Sequence, residues 1–115
     1  MRVLVCGGRD YADYDTLKTV LSALQVSAGP FSAIIHGAAR GADALAHRYA
    51  ERHSIPEHMF PAEWALHGRA AGPIRNQQML DIGKPDLVVA FAGGRGTADM
   101  VRRAQAAGVR VVEVE

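Results

Sequence analysis

A chain of 115 residues that is 49% hydrophobic and carries a formal net charge of +1 is sized for one domain with a single core. The near-neutral charge excludes a global pull towards nucleic acid or an acidic tail, and the single cysteine, Cys6, excludes an internal disulfide. No secretory leader opens the sequence and no apolar run approaches the ~20 residues of a membrane span, so a soluble cytoplasmic protein without membrane contact is expected.

Met1 to Cys6 (MRVLVC) is short, β-branched and stopped by Gly7-Gly8, the pattern of a strand covered on both faces. Asp15 to Ala28 places Leu17, Val20, Leu21 and Leu24 on one helical stripe, ended by Gly29-Pro30. Ser32 to His36 reads as a second strand, Gly41 to His53 as a second helix with a small Ala42/Ala46/Ala50 face, and Glu57 to Phe60 as a brief third strand. A loop is expected to about Gly72, then a helix from Pro73 to Ile82 with proline in its first turn. Asp86 to Ala92 (DLVVAFA) is the most apolar run and predicts a central strand. Thr97 to Ala107 predicts the last helix, with Thr97 as its N-cap and Gly108 at its C-terminal end, and Val109 to Val114 the last strand.

Strands alternating with helices imply a parallel sheet covered on both faces. Right-handed crossovers carry the first three strands outward in one direction, and the long connection before the fourth returns it beside the first. The expectation is a Rossmann-like α/β three-layer sandwich, a five-stranded parallel sheet of order 3-2-1-4-5 in one domain spanning residues 1–115. Ligands in such sheets sit where the order reverses, between strands 1 and 4. Those strands end in the same tripeptide, Gly7-Gly8-Arg9 and Gly93-Gly94-Arg95.

Glycines let these turns approach a ligand closely, and each turn feeds a helix whose first amides attract anions. Gly93, Gly94, Arg95, Gly96 and Thr97 form the fullest candidate phosphate loop, with Gly7, Gly8 and Arg9 opposite and Gly37, Arg40 and Gly41 in a third turn. Asp43 follows that turn in the position of a capping residue. Eleven of the thirteen basic residues are arginine, which favours bidentate contacts to phosphate. The dinucleotide fingerprint and the P-loop lysine are both missing, so no cofactor is expected. In the segment PAEWALHGRAAGPIRNQQM, Trp64 is either a stacking surface for a base or a core plug. Arg75 and Asn76 fall in the first turn of the predicted third helix, where a cation opposes the dipole and implies a specific partner. The five histidines show no metal-ligand spacing, and no metal is expected; His67, in the loop with Trp64, is the one of functional interest. Cys6 reads as an inert core thiol.

The stretches GGRDYADY, HGAARGADALAHRYA, GRAAGPIRNQQML and FAGGRGTADM together resemble the YspA-like, cpYpsA-related branch of the SLOG superfamily, named for the SMF/DprA DNA-processing proteins and the Lonely Guy phosphoribohydrolases. The resemblance implies a Rossmann-like fold, a nucleotide or nucleotide-derived ligand at the crevice, and dimer formation. Lonely Guy enzymes cleave the N-glycosidic bond of nucleoside monophosphates with a helix-borne arginine and the glutamate of P-G-G-x-G-T-x-x-E. Arg75 matches that arginine, and Gly93, Gly94, Gly96 and Thr97 match the phosphate loop. Ala92 replaces the proline and Met100 the glutamate. Asp99 lies about 100° around the helix and is expected to point elsewhere. A substitute carboxylate would come from Asp10, Asp13 or Glu63, with Asp10 preferred because it follows the first Gly-Gly-Arg turn.

Three functions compete. The first is a binding module or sensor for a phosphorylated nucleotide-like molecule. The second is an N-glycosidic nucleotide hydrolase using Arg75 with Asp10 or Glu63, since the oxocarbenium-like transition state needs a carboxylate. The third, single-stranded DNA binding through arginines and Trp64, is opposed by the near-neutral charge. The alanine faces at 42/46/50 and 98/104/107 pack either on a partner copy in a homo-oligomer or on the sheet.

Overall fold

A computed structural model describes residues 1–115, and its centre is the apolar first strand. In β1 (Arg2–Cys6), Val3 and Val5 point to one face of the sheet while Leu4 and Cys6 point to the other, and all four are buried. Period-two alternation without a polar face can be satisfied only by helices on both sides. The remaining strands are β2 (Ala33–His36), β3 (Glu57–Met59), β4 (Leu87–Ala90) and β5 (Arg110–Glu113). All pairings are parallel and the order is β3-β2-β1-β4-β5, as expected from the chain order.

Helices α1 (Tyr14–Ser27) and α2 (Ala42–Arg52) cover one face. Leu17 and Leu21 of α1 and Ala46, Tyr49 and Ala50 of α2 pack there on Val3, Val5, Ile34, Leu87 and Val89. Full burial of each leucine contributes about 1.5–3 kcal/mol. The Tyr49 hydroxyl meets Ser22 and Gln25 at 3.0 and 2.8 Å, so its burial leaves no polar atom unpaired. Ala42, Ala46 and Ala50 are fully buried within the chain, which places that small face on the sheet and leaves none of it for a second copy.

The segment after β3 crosses to the opposite face. It contains a single helical turn, α3 (Trp64–His67), a 3-10 turn (Gly68–Ala70) and α4 (Ala71–Asp81), followed after β4 by α5 (Arg95–Ala106). Met79, Leu80, Met100, Val101 and Ala104 seal this side against Leu4, Ile35, Val88 and Ala90. Two helix starts differ from expectation. The fourth helix begins at Ala71, so Arg75 lies in its second turn and the dipole no longer opposes it strongly. The last helix begins at Arg95 with Gly94 as N-cap, so Thr97 is a first-turn residue and not the cap.

Candidate functional site

The two Gly-Gly-Arg turns touch. The Gly8 amide donates to the Ala92 carbonyl at 2.9 Å, and the Gly8 carbonyl accepts from Ala42 at 3.1 Å in the third turn. A Cβ on Gly8 would lie 2.9 Å from the Ala92 carbonyl oxygen, and one on Gly93 would lie 2.7 Å from the Gly8 nitrogen. Gly41 takes φ +78°, and a side chain there would run into the Gly8 carbonyl. These glycines are set by backbone packed on backbone.

Above this junction lies a cavity of about 770 Å³, well inside the ~300–1,000 Å³ range of small-molecule sites. The β1 turn contributes Gly7, Gly8 and Arg9, and α4 contributes Arg75 and Asn76. Gly94, Arg95, Gly96 and Thr97 enter from the start of α5, and Trp64 from α3. No side chain caps α5, so the first amides of a twelve-residue helix open into the cavity without an intrahelical acceptor. Trp64 is 49% exposed, and the Arg9 guanidinium lies 5.2 Å from its ring centre. Its ring is therefore part of the cavity wall and not a core plug.

Arg75 is fixed from below. Its Nη1 donates to the Gly37 carbonyl at 2.8 Å and its Nε to Asn76 Oδ1 at 3.1 Å. Gly37 is glycine because a Cβ would strike the Arg75 guanidinium. Burial lowers the Arg75 pKa, opposed by neighbouring Asp43 and reinforced by Arg9. Asp43 accepts from the Gly37 and Ala39 amides at 3.2 and 3.3 Å, pinning the turn after β2, while burial raises its carboxyl above the ordinary value against the pull of these amides, His36 and Arg75. Asp99 accepts from Asn76 and Arg103 on one oxygen, at 3.0 and 2.8 Å, and from Arg102 on the other at 2.7 Å. Burial opposes its ionisation, but these donors outweigh it and hold its pKa below the usual carboxylate range.

A scan against family models matches residues 1–67 to the YspA, cpYpsA-related SLOG family. The Gene 61 protein of Mycobacterium phage D29 is 37% identical over 119 aligned positions, covering 96% of this chain and 94% of that protein. The chain belongs to the YspA, cpYpsA-related SLOG family.

Two solved structures share the SLOG chain's Rossmann-like fold at low identity. Glycinamide ribonucleotide transformylase 1 from Symbiobacterium toebii superposes with TM-score 0.57 at 17% identity, over 98% of this chain and 50% of that one. Phosphoribosylglycinamide formyltransferase from Coxiella burnetii, solved with CHES, gives TM-score 0.51 at 19% identity, over 95% and 61%. The chain thus spans about half to three-fifths of these enzymes, and the likeness is one of fold.

Within this SLOG domain the carboxylates are not where the sequence placed them. The Asp10 side chain is 98% exposed and meets only Arg40, at 3.7 Å on the surface; neither residue lines the cavity. Glu63 is the exposed residue preceding α3 and is also off the wall, as is His67. Asp13 caps α1 through the Thr16 amide at 3.0 Å. Gly37, Gly41 and Gly93 shape the turns from behind and do not face the cavity. The acidic groups on the wall are Asp43 and Asp99. Asp99 points inward because Met100, fully buried, takes the sheet-facing position and leaves the residue 100° away on the groove beside α4. Arg69 and Arg102 also line the cavity. Neither was legible in the sequence: Arg102 lies one turn after Asp99, whose inward orientation was itself not foreseen, and Arg69 had no signal beyond its place in the GRAAGPIRN segment.

Cys6 lies at the cavity floor, where burial, with a smaller push from Asp43, raises its thiol to about 12. Despite their scatter in sequence, His36, His47 and Glu57 converge with ligand-type atoms within 4.8 Å of one another. His36 Nδ1 accepts from the Ala38 amide at 3.0 Å, and its Nε2 lies 2.9 Å from Glu57. In the neutral ring the proton is then on Nε2 and points at Glu57, so that nitrogen offers no lone pair to a metal. The cluster reads as a hydrogen-bonded clasp between β2, α2 and β3.

Proposed function

We propose that this SLOG domain binds a nucleotide or nucleotide-derived phosphorylated small molecule in the crevice between β1 and β4, as a sensor or ligand-binding module. The observation that carries this reading is the uncapped start of α5, opening into the cavity beside Arg9, Arg69 and Arg95, whose guanidiniums make no carboxylate contact. Amides at a helix start hold anions, arginine adds bidentate contacts worth about 1.5–3 kcal/mol each, and Trp64 supplies a flat face for a base. Family membership agrees with a nucleotide-related role.

The glycosidase reading needs a carboxylate free to stabilise an oxocarbenium-like centre. Met100 is sealed in the core, and the two acidic groups of the wall are already engaged, Asp43 by turn amides and Asp99 by three donors. Binding without glycosidic cleavage fits this arrangement better.

Thermal-shift titration with nucleoside mono-, di- and triphosphates, ADP-ribose and cyclic nucleotides tests the reading. A ligand at 100 times its Kd stabilises the fold by about 2.7 kcal/mol, and Arg95→Gln should weaken that response. A flat response to every phosphorylated compound would reject it. Chromatography of the same mixtures addresses catalysis, and release of free base would replace the sensor reading with the hydrolase.

A further inference from the structure

Resting on that reading, we infer that the ligand carries two linked phosphates: a nucleoside diphosphate or a dinucleotide joined by a diphosphate, not a nucleoside monophosphate. The argument is one of charge and space. The cavity wall holds five arginines, Arg9, Arg69, Arg75, Arg95 and Arg102, against two aspartates. The aspartates are matched locally, Asp43 beside Arg75 and Asp99 on Arg102 and Arg103, which leaves three guanidiniums without an acidic partner. The whole chain has a net charge of only +1, so this excess is concentrated in the cleft and balanced elsewhere.

The three free cations come from three separate elements. Arg95 opens α5, Arg9 follows β1, and Arg69 lies in the 3-10 turn before α4. One phosphate monoester brings about −1.5 to −2 charges and has only one centre to offer. With the α5 amides and Arg95 satisfied by that centre, Arg9 and Arg69 would stay unmatched. A second, linked phosphate adds the missing charge and a second set of acceptor oxygens for the planar forks of Arg9 and Arg69. A cavity of about 770 Å³ has room for the longer molecule. Arg9 already lies over the Trp64 ring, so engaging this arginine also frees or completes the aromatic face for the base.

The test is calorimetric titration of the full chain with adenosine and guanosine mono- and diphosphates, inorganic phosphate and inorganic pyrophosphate at fixed salt. For the preferred base, the diphosphate should bind at least tenfold more tightly than the monophosphate. Arg69→Gln and Arg9→Gln should shrink that ratio towards one, while Arg110→Gln, on the last strand and outside the cavity, should leave it intact. Equal affinity for mono- and diphosphate would overturn this inference while sparing the nucleotide reading. Pyrophosphate binding as tightly as any nucleotide would keep the two-phosphate requirement and sink the nucleoside part. No binding by any of the six compounds would overturn this inference, and the nucleotide reading falls with it only when ADP-ribose, the triphosphates and the cyclic nucleotides also give no response.

Discussion

The amide of Gly8 donates to the carbonyl of Ala92 at 2.9 Å, a bond between corners more than eighty residues apart in sequence. It holds the ends of β1 and β4 together at the point where the sheet order reverses, and the cavity is built on it. Two glycines of the second corner should therefore respond oppositely to an added methyl. Gly93→Ala places a Cβ 2.7 Å from the Gly8 nitrogen and against the Thr97 hydroxyl, and should cost about 1–3 kcal/mol through overpacking. Gly96 has open space at its Cβ position and lies in the first turn of α5, so Gly96→Ala should stabilise the unliganded chain by about 0.4–1 kcal/mol. Urea denaturation reads both.

Asp99 ties α4 to α5 through Asn76, Arg102 and Arg103. Because its folded-state pKa is depressed, its contribution is fully present above the ordinary value of 3.8 and is lost as the pH falls through the lowered folded value. Asp99→Asn should lower stability near neutral pH by about 1–3 kcal/mol and flatten the acid limb of the stability curve below 3.8. An unchanged acid limb in the variant would show that the network contributes nothing.

His47 lies between Glu57 and Glu51, at 2.7 and 2.6 Å. The hydrogen bond to Glu57, ahead of burial and the charges of both glutamates, determines the rise in its pKa above the ordinary 6.5. A raised imidazole pKa stabilises the fold fully below 6.5 and loses that contribution as the pH rises through the higher folded value. Melting temperatures of the parent chain should fall as the pH rises above 6.5, and His47→Gln should remove most of that slope. Burial would raise the Glu57 pKa, but its hydrogen bonds with His36 and His47 outweigh it and lower it, so its contribution has the opposite dependence: fully present above 4.5 and lost as the pH falls through the lowered folded value.

The Cys6 thiol, raised to about 12, has a thiolate fraction of about one in ten thousand at pH 8. A thiol-exchange reagent should label it far more slowly in the folded chain than in urea. Comparable rates in the two states would place the thiol outside the buried floor described here.

The sheet was legible because its strands are short, β-branched and separated by glycine corners, and those cues depend on neighbours in the chain. Helix starts were less legible: the Thr97 hydroxyl resembled a cap, yet the cap is Gly94, three residues sooner. The site was legible at its corners and misleading in its acids. Asp10 is next to a Gly-Gly-Arg turn in sequence, but the chain swings outward after Arg9 and leaves it in solvent.

The amino-acid order alone determined five parallel strands in the sequence 3-2-1-4-5 and the meeting of two glycine corners, because apolar periodicity and crossover handedness act locally and leave few topologies. Only the tertiary structure decided which acids and arginines face the cleft. The rotation of α5 about its axis is fixed when Met100, Val101 and Ala104 join the core formed with β4, β5 and α4, a choice made by residues distant in sequence, and it turns Asp99 and Arg102 inward to complete the wall.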